Sequence, residues 1–339
     1  MKTLVTGAAG FIAGYLIPEL LENGHDVVGV DNFWKYGPVD RSYDKHPRYK
    51  FIQGDCKNVD LMKEAVQDCD HFVAGAAWIG GISLFHELAY ELLAENERIT
   101  AAAFDAAIWA HKERKLQKIT VISSSMVFES ADIFPTPEGA QLSCPPPLST
   151  YGFQKLATEY FAKGAWEQYK LPFTICRPFN CVGIGERRAL HEHDIKSGNV
   201  QLALSHVVPD LVQKILKGQD PLRILGSGGQ VRHYTYGGDL ARGIRLCVDS
   251  PEARNEDFNL STPVSTTVIE LAEMIWKKIK GDKPFRYESD DPFPYDVQKR
   301  VPDVSKAERM LNYKAEHSLE AALDEIIPWI EQEITAGRI

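Results

Sequence analysis

The segment Thr6-Gly7-Ala8-Ala9-Gly10-Phe11-Ile12-Ala13-Gly14 constrains this chain more than any other. It lies between an apolar strand, Lys2–Thr6, and a stretch that reads as a helix over 10–23. Gly7 permits a tight strand-to-helix turn. Gly10 lets the backbone approach a pyrophosphate, and the helix N-terminus behind it offers N–H groups and a positive dipole end. The third glycine of such turns is Ala13 here, with Gly14 one place later. That position serves helix–strand packing, and Ala is tolerated there. A turn of this kind can also exist with no ligand, so the context matters. Asp31 ends the next strand, where a carboxylate accepts the adenosine ribose hydroxyls and repels a 2′-phosphate. A dinucleotide is expected, and NAD rather than NADP. Gly54-Asp55 follows the third strand, where Asp55 meets an adenine amine or, equally well, caps a helix.

Short apolar strands at 26–30, 49–53, 71–74, 119–123 and 173–176 alternate with helices, one from about Val59 and one over 89–111. The class is α/β, a Rossmann-type doubly wound parallel sheet covered on both faces. Further on, helices are expected at 207–217, 267–280 and 319–334. Loops are expected at 189–198, 226–229 and 290–294.

A net charge of −9 argues against nucleic acid or an anionic membrane as the partner. No apolar run reaches membrane-spanning length, and Met1 leads straight into a strand with no secretory pattern. A cytoplasmic protein is expected. The six cysteines form no CxxC pair and the histidines are dispersed, so no metal site is expected.

Tyr151 and Lys155 lie four apart on one face of a helix. A lysine held near a phenol favours the phenolate and makes tyrosine a usable base. The spacing recurs at Tyr295 and Lys299, outside the nucleotide unit, and is taken there as coincidence. The first copy follows Ser123-Ser124-Ser125, placed where a parallel strand ends. Ligands of open α/β sheets sit at such ends.

The ordered set TGAAGFIAG, Asp31-Asn32, Gly54-Asp55, AGAA at 74–77, Asn96, SSSMVF, YGFQK and RPFNCVG resembles the extended short-chain dehydrogenase/reductases. It is most similar to their nucleotide-sugar epimerases and dehydratases, over nearly the whole chain. The resemblance implies an NAD-binding Rossmann domain over 1–179, with 230–258 returning to it. A smaller α/β lobe for the nucleotide sugar then comprises 180–229 and 259–339. It implies that Gly7, Gly10, Phe11, Ile12, Asp31 and Asn32 hold NAD, together with Asp55, Ala76, Asn96, Tyr151 and Lys155. It implies that Tyr151 is the acid or base, that Lys155 orients it, and that Ser124 bonds the reacting sugar oxygen. Ser125, Asn180, Arg232 and Arg300 match substrate positions, the two arginines gripping the diphosphate. Either arginine, taken alone, reads as a surface charge. A homodimer paired through two helices per subunit, 89–111 and the Tyr151-bearing helix, is also implied.

Relatives that dehydrate carry an Asp–Glu pair just before the position of Val127, and the 3,5-epimerases carry a cysteine there. This chain has Ser125 and Met126, and neither side chain exchanges a proton. The remaining set, Tyr151, Lys155, Ser124 and NAD, suffices for epimerisation at C4 through a 4-keto sugar. Dehydration, C3/C5 epimerisation and 4-keto reduction are the alternatives. Two features lean toward them. Trp78–Ser83 has a double glycine similar to the GDP-mannose 3,5-epimerase group. The stretch 186–199 is long and charged, with His191 and His193 as further acid/base candidates or parts of a plain polar loop. A non-catalytic NAD sensor is disfavoured by Tyr151, Lys155 and both arginines being present.

Overall fold

The computed structural model describes residues 1–79, 88–190, 195–202, 206–292 and 297–339. Strands β1 (Lys2–Thr6), β2 (Asp26–Asp31), β3 (Tyr49–Gln53), β4 (His71–Ala74), β5 (Lys118–Ile122) and β6 (Phe173–Pro178) come first. Short strands β7 (Cys181–Val182), β8 (Ile195–Ser197), β9 (Val200–Leu202), β10 (Leu222–Leu225), β11 (Val231–Arg232) and β12 (Thr235–Tyr236) follow. They are succeeded by β13 (Glu256–Leu260), β14 (Thr266–Thr267) and β15 (Tyr287–Asp290). The helices are α1 (Phe11–Glu22), α2 (Val59–Val66), α3 (Ala89–Glu113), α4 (Thr150–Tyr169) and α5 (Val207–Leu216). Then come α6 (Gly237–Asp249), α7 (Val268–Lys280), α8 (Ser305–Leu311) and α9 (Leu319–Thr335).

Seven strands form one parallel sheet in the order β3-β2-β1-β4-β5-β6-β13. The near-continuous apolar runs of β1, β2, β4 and β5 suit strands covered on both faces. On one face Leu16, Ile17 and Leu20 of α1 meet Leu240 and Ile244 of α6. On the other, Met62, Phe104, Ala106 and Ala107 pack with Phe72 and Ile119. The strand order reverses between β1 and β4, which opens a crevice at their carboxyl ends. A second core forms around Leu211, Ile215, Leu271, Ile275, Ile326 and Ile330, from α5, α7 and α9. Val182, Leu222 and Ile224 join it. No helix among the described residues is long and apolar enough to cross a membrane.

The structure departs from expectation in three places. The loop expected over 189–198 is in part an antiparallel hairpin, Ile195–Ser197 with Val200–Leu202. Ser197 pairs with Val200, so Gly198 and Asn199 make the turn, and Gly198 takes the positive φ of 57° that such turns require. Asp290 ends a strand, paired through Arg223↔Glu288, rather than opening a loop. Ala307, Leu311 and Tyr313, expected in the sugar lobe, pack in the same core as α1 and α6. His191, His193, Tyr295 and the double glycine Gly80-Gly81 lie outside the described residues.

Candidate active site

A cleft of about 1180 Å³ runs from the glycine turn, past the carboxyl ends of β1, β4 and β5, to the second core. At its first end Gly7 has φ +74°, and a Cβ there would sit 3.0 Å from the Ala76 Cα. The β4 end is drawn in by Thr6, whose Oγ1 accepts the N–H groups of Gly75 (3.1 Å) and Ala76 (3.2 Å). Helix α1 starts at Phe11 with Gly10 as its N-cap and no capping side chain, so its first N–H groups are left for a ligand. Asp31 has a double task. Its Oδ2 accepts the Ala9 N–H at 3.0 Å and its Oδ1 accepts the Phe33 N–H at 2.7 Å. Burial pushes its carboxyl up, against those two bonds and the charge of Arg41.

Gly7, Gly10, Phe11, Ile12 and Asp31 line this end, with Asn32, Asp55 and Ala76. The glycine cradle and the Asp31 carboxylate fit a dinucleotide with an unsubstituted ribose. Asn96 stands elsewhere. Its amide accepts from Trp78 N–H (2.7 Å) and donates to Trp78 O (2.9 Å), and it faces a small side cavity, not the main cleft. It acts through Trp78. Arg41 was not anticipated: its Nη2 donates to Ala9 O (3.1 Å) and Gly10 O (3.2 Å), clamping the glycine turn from behind. Nothing in its local sequence marks that role.

In mid-cleft, Tyr151 is buried in the first turn of α4. Ser149 caps this helix, accepting the Gly152 N–H at 3.0 Å, and Glu129 Oε2 accepts both the Ser149 N–H (3.0 Å) and its hydroxyl (2.8 Å). Gly152 is needed for close approach, since a Cβ would lie 2.8 Å from Met126 O. That approach sets Tyr151 beside Ser124, with which its hydroxyl shares a hydrogen bond. Ser124 Oγ also accepts the Met126 N–H at 3.2 Å. Lys155 lies one turn on, but its Nζ donates to Ile122 O at 3.0 Å and is 6.0 Å from the Tyr151 ring centre.

The expectation that Lys155 lowers the tyrosine therefore needs revision. Burial pushes the Tyr151 phenol up; the Ser124 bond and the charges of Arg300 and Lys35 oppose it. Burial also lowers Lys155 to about 8. The lysine is turned to a strand-end carbonyl, and a guanidinium and an ammonium from distant loops act on the phenol instead.

Arg232 and Arg300, far apart in sequence, come together because Val231 bridges to Lys299 and accepts the Arg300 N–H at 3.2 Å. Both charges bear on the buried Tyr234, and both arginines line the cleft. Asn180 holds φ +36°, and its carbonyl accepts the Thr235 N–H at 3.1 Å. Its buried Nδ2 has no protein partner among the described residues. Ser125 and Met126 are buried at the cleft wall, Met126 against Leu92 and Tyr151. Lys35, Glu186 and His206 also line the cleft, and only the stretch containing Glu186 drew notice in the sequence.

Comparison with known proteins agrees with this geometry. The model of the NAD dependent epimerase/dehydratase family matches residues 3–261. A Bacillus subtilis protein named as an uncharacterized UDP-glucose epimerase is 28% identical over 97% of this chain and 98% of its own length. The solved UDP-glucuronic acid 4-epimerase of Bacillus cereus, in complex with UDP-glucuronic acid and NAD, superposes with a TM-score of 0.82 at 27% identity, covering 98% of this chain and 99% of that one. The UDP-glucose 4-epimerase of Thermotoga maritima with UDP-glucose gives 0.80 at 26%, covering 98% and 100%. With its family match spanning the glycine cradle, the Ser124–Tyr151 pair and the seventh strand, the chain belongs to the NAD-dependent epimerase/dehydratase family and is an NAD-dependent enzyme.

Proposed function

We propose that this enzyme inverts C4 of the sugar in a nucleotide-diphosphate sugar, through a 4-keto intermediate. The observation that carries the reading is the Tyr151–Ser124 hydrogen bond at the strand ends, beside a wall where Ser125 and Met126 cannot transfer protons. NAD, when bound, supplies the acceptor and donor of hydride. It is held by the glycine turn, Phe11, Ile12, Asp31, Asn32, Asp55 and Ala76, with Asn96 fixing the Trp78 backbone beside it. Tyr151 takes the proton of the 4-hydroxyl and later returns it, while Ser124 orients the phenol and Lys155, one turn on, meets the nicotinamide ribose. Ser125 contacts the sugar. Asn180, Arg232 and Arg300 hold the diphosphate, so binding energy comes from the nucleotide and the sugar can turn over between hydride transfers. The relatives named as UDP-glucose and UDP-glucuronic acid epimerases support a UDP-linked hexose as the first substrate to try.

The same proposal divides the chain into a nucleotide unit, 1–179 with 230–258 and α8, and a sugar lobe from 180–229 and the remaining C-terminal residues. It places the protein in the cytoplasm as a homodimer. Purified protein is incubated with UDP-, dTDP-, GDP- and CDP-linked hexoses and the products read by NMR. A C4 epimer is the expected product. A stable 4-keto-6-deoxy sugar would overturn the reading in favour of a dehydratase.

A further inference from the structure

The sugar side of the cleft holds charged groups that C4 epimerisation does not use. Glu186 lies just past β7 from Asn180 and is buried, and its Oε1 meets Nδ1 of His206, the residue that leads into α5. Both line the cleft with Asn180 and Tyr151. Two straps fix the loop that carries Glu186. Tyr15 Oη accepts the Ile184 N–H at 2.7 Å, and the Leu190 N–H donates to Lys35 O at 2.8 Å. The second strap ties the segment after β2 to this loop, and the Lys35 charge bears on Tyr151 and Glu186 alike. One ammonium group thus acts on both the Tyr151 hydroxyl and the Glu186 carboxylate.

Burial would raise the Glu186 carboxyl, but His206 and Lys35 outweigh it and hold it below the usual range. A carboxylate on Nδ1 keeps the proton of a neutral imidazole there and makes Nε2 the basic nitrogen. A base oriented by a carboxylate is the usual build of a proton-transfer side chain. Such a group has work to do here. A sugar with a carbonyl at C4 has acidified hydrogens on C3 and C5, and neither Ser125 nor Met126 can take them.

We infer that Glu186 and His206 form a second proton-transfer pair, which exchanges the hydrogen on a carbon beside the C4 carbonyl and lets this enzyme invert C3 or C5 as well. The inference rests on the reading of the cleft as a site for a 4-keto sugar and goes beyond it. His206 Nε2 takes the proton from C3 or C5. The C–H electron pair becomes a carbon–carbon double bond, and the carbonyl pair moves onto O4 beside the Tyr151 hydroxyl. The imidazolium then returns a proton to the same carbon and the carbonyl re-forms, with no net oxidation or reduction. Return to the opposite face inverts that carbon. Glu186 touches no reacting atom; it is a positioning residue that stabilises the imidazolium.

The test uses UDP- and dTDP-linked 4-keto-6-deoxyglucose with the NAD-loaded protein in D2O. Deuterium at C3 and C5 is followed by NMR. We expect exchange at least about 100-fold faster than in protein-free buffer. His206→Gln loses that gain; Glu186→Gln loses part of it and shifts the pH profile of exchange. Exchange no faster than in buffer overturns the inference. So does a His206→Gln protein that melts like the wild type and still exchanges at its rate. Should His206→Gln not fold, the buffer comparison and Glu186→Gln carry the test. In a separate arm, UDP-glucose and UDP-glucuronic acid are added and bound NAD is followed by its near-ultraviolet absorbance. Reduction supports the 4-keto reading. No reduction by either sugar counts against that reading, and exchange on the preformed ketone still decides the role of His206.

Discussion

Tyr151 concentrates the chemistry of the cleft, and its environment sets what it can do. Its phenol is buried, which favours the neutral form, and Ser124, Arg300 and Lys35 pull the other way. Tyr151→Phe keeps the ring and its packing against Met126 and Leu92 but removes the proton carrier. We expect turnover to fall by about 10²–10⁴ while NAD still binds. Steady-state rates and NAD titration check this, and a variant with wild-type turnover would sink the assignment. Lys155 carries a different signature. Burial lowers it to about 8, from an ordinary value near 10.5. Between those values the unfolded chain binds more protons than the folded one, so stability rises with pH across that window. Lys155→Met removes this pH dependence. The wild type should therefore gain on the variant by about 3 kcal/mol between pH 7.5 and 10.5, read by urea unfolding at each pH. A constant difference would mean that the ammonium titrates normally.

At the scale of elements, α4 is held to the sheet by a buried charge network. Arg177 on β6 is fully buried and donates to both oxygens of Glu159 on α4, at 2.7 and 2.8 Å. Its Nη1 reaches Asp257 of β13 at 2.7 Å. Ser123, next to Ser124, donates to the same Glu159 at 2.7 Å. Arg177→Met leaves Glu159 buried without its cation and should cost about 3–5 kcal/mol. Arg177→Met with Glu159→Leu should recover most of it. Chemical unfolding of the three proteins decides, and equal losses in single and double variants would refute the pairing.

This network also marks how far the sequence could be read. Strands β1, β4 and β5 were legible because a strand buried on both faces is one apolar run, and α3 because no Gly or Pro interrupts it. Tyr151, Ser124 and Asp31 were legible because their places are tied to the ends of those elements. The cationic partners of Tyr151 were not, since Arg300 and Lys35 arrive from other parts of the chain. The Lys155 spacing was right, but its ammonium is taken by a strand-end carbonyl that no helical periodicity reveals. Asn96 in the same way serves the backbone of Trp78, a contact set by tertiary packing. The 195–202 hairpin was missed because three-residue strands are too short to show a period.

At the scale of the whole molecule, the outer face of α4 asks for a partner. Phe153 is 48% exposed, Tyr160 58% and Phe161 36%, and they recur at positions that fall on one helical face with Gly164. Phe161 stacks on Phe104 of α3, so the face extends over both helices. Apolar residues grouped in this way mark an interface more often than a solvated surface. Pairing of α3 and α4 with their copies about a two-fold axis would bury them and brace the Tyr151-bearing helix from outside. Phe153→Glu with Tyr160→Glu puts like charges into that self-facing patch, where they repel across the two-fold axis. We expect the variant to be monomeric by light scattering at concentrations where the wild type is dimeric. Its turnover should fall, because α4 carries Tyr151 in its first turn and loses its outer support. A wild type that is monomeric at micromolar concentration, or a variant that still dimerises, would show that this face is not the dimer contact.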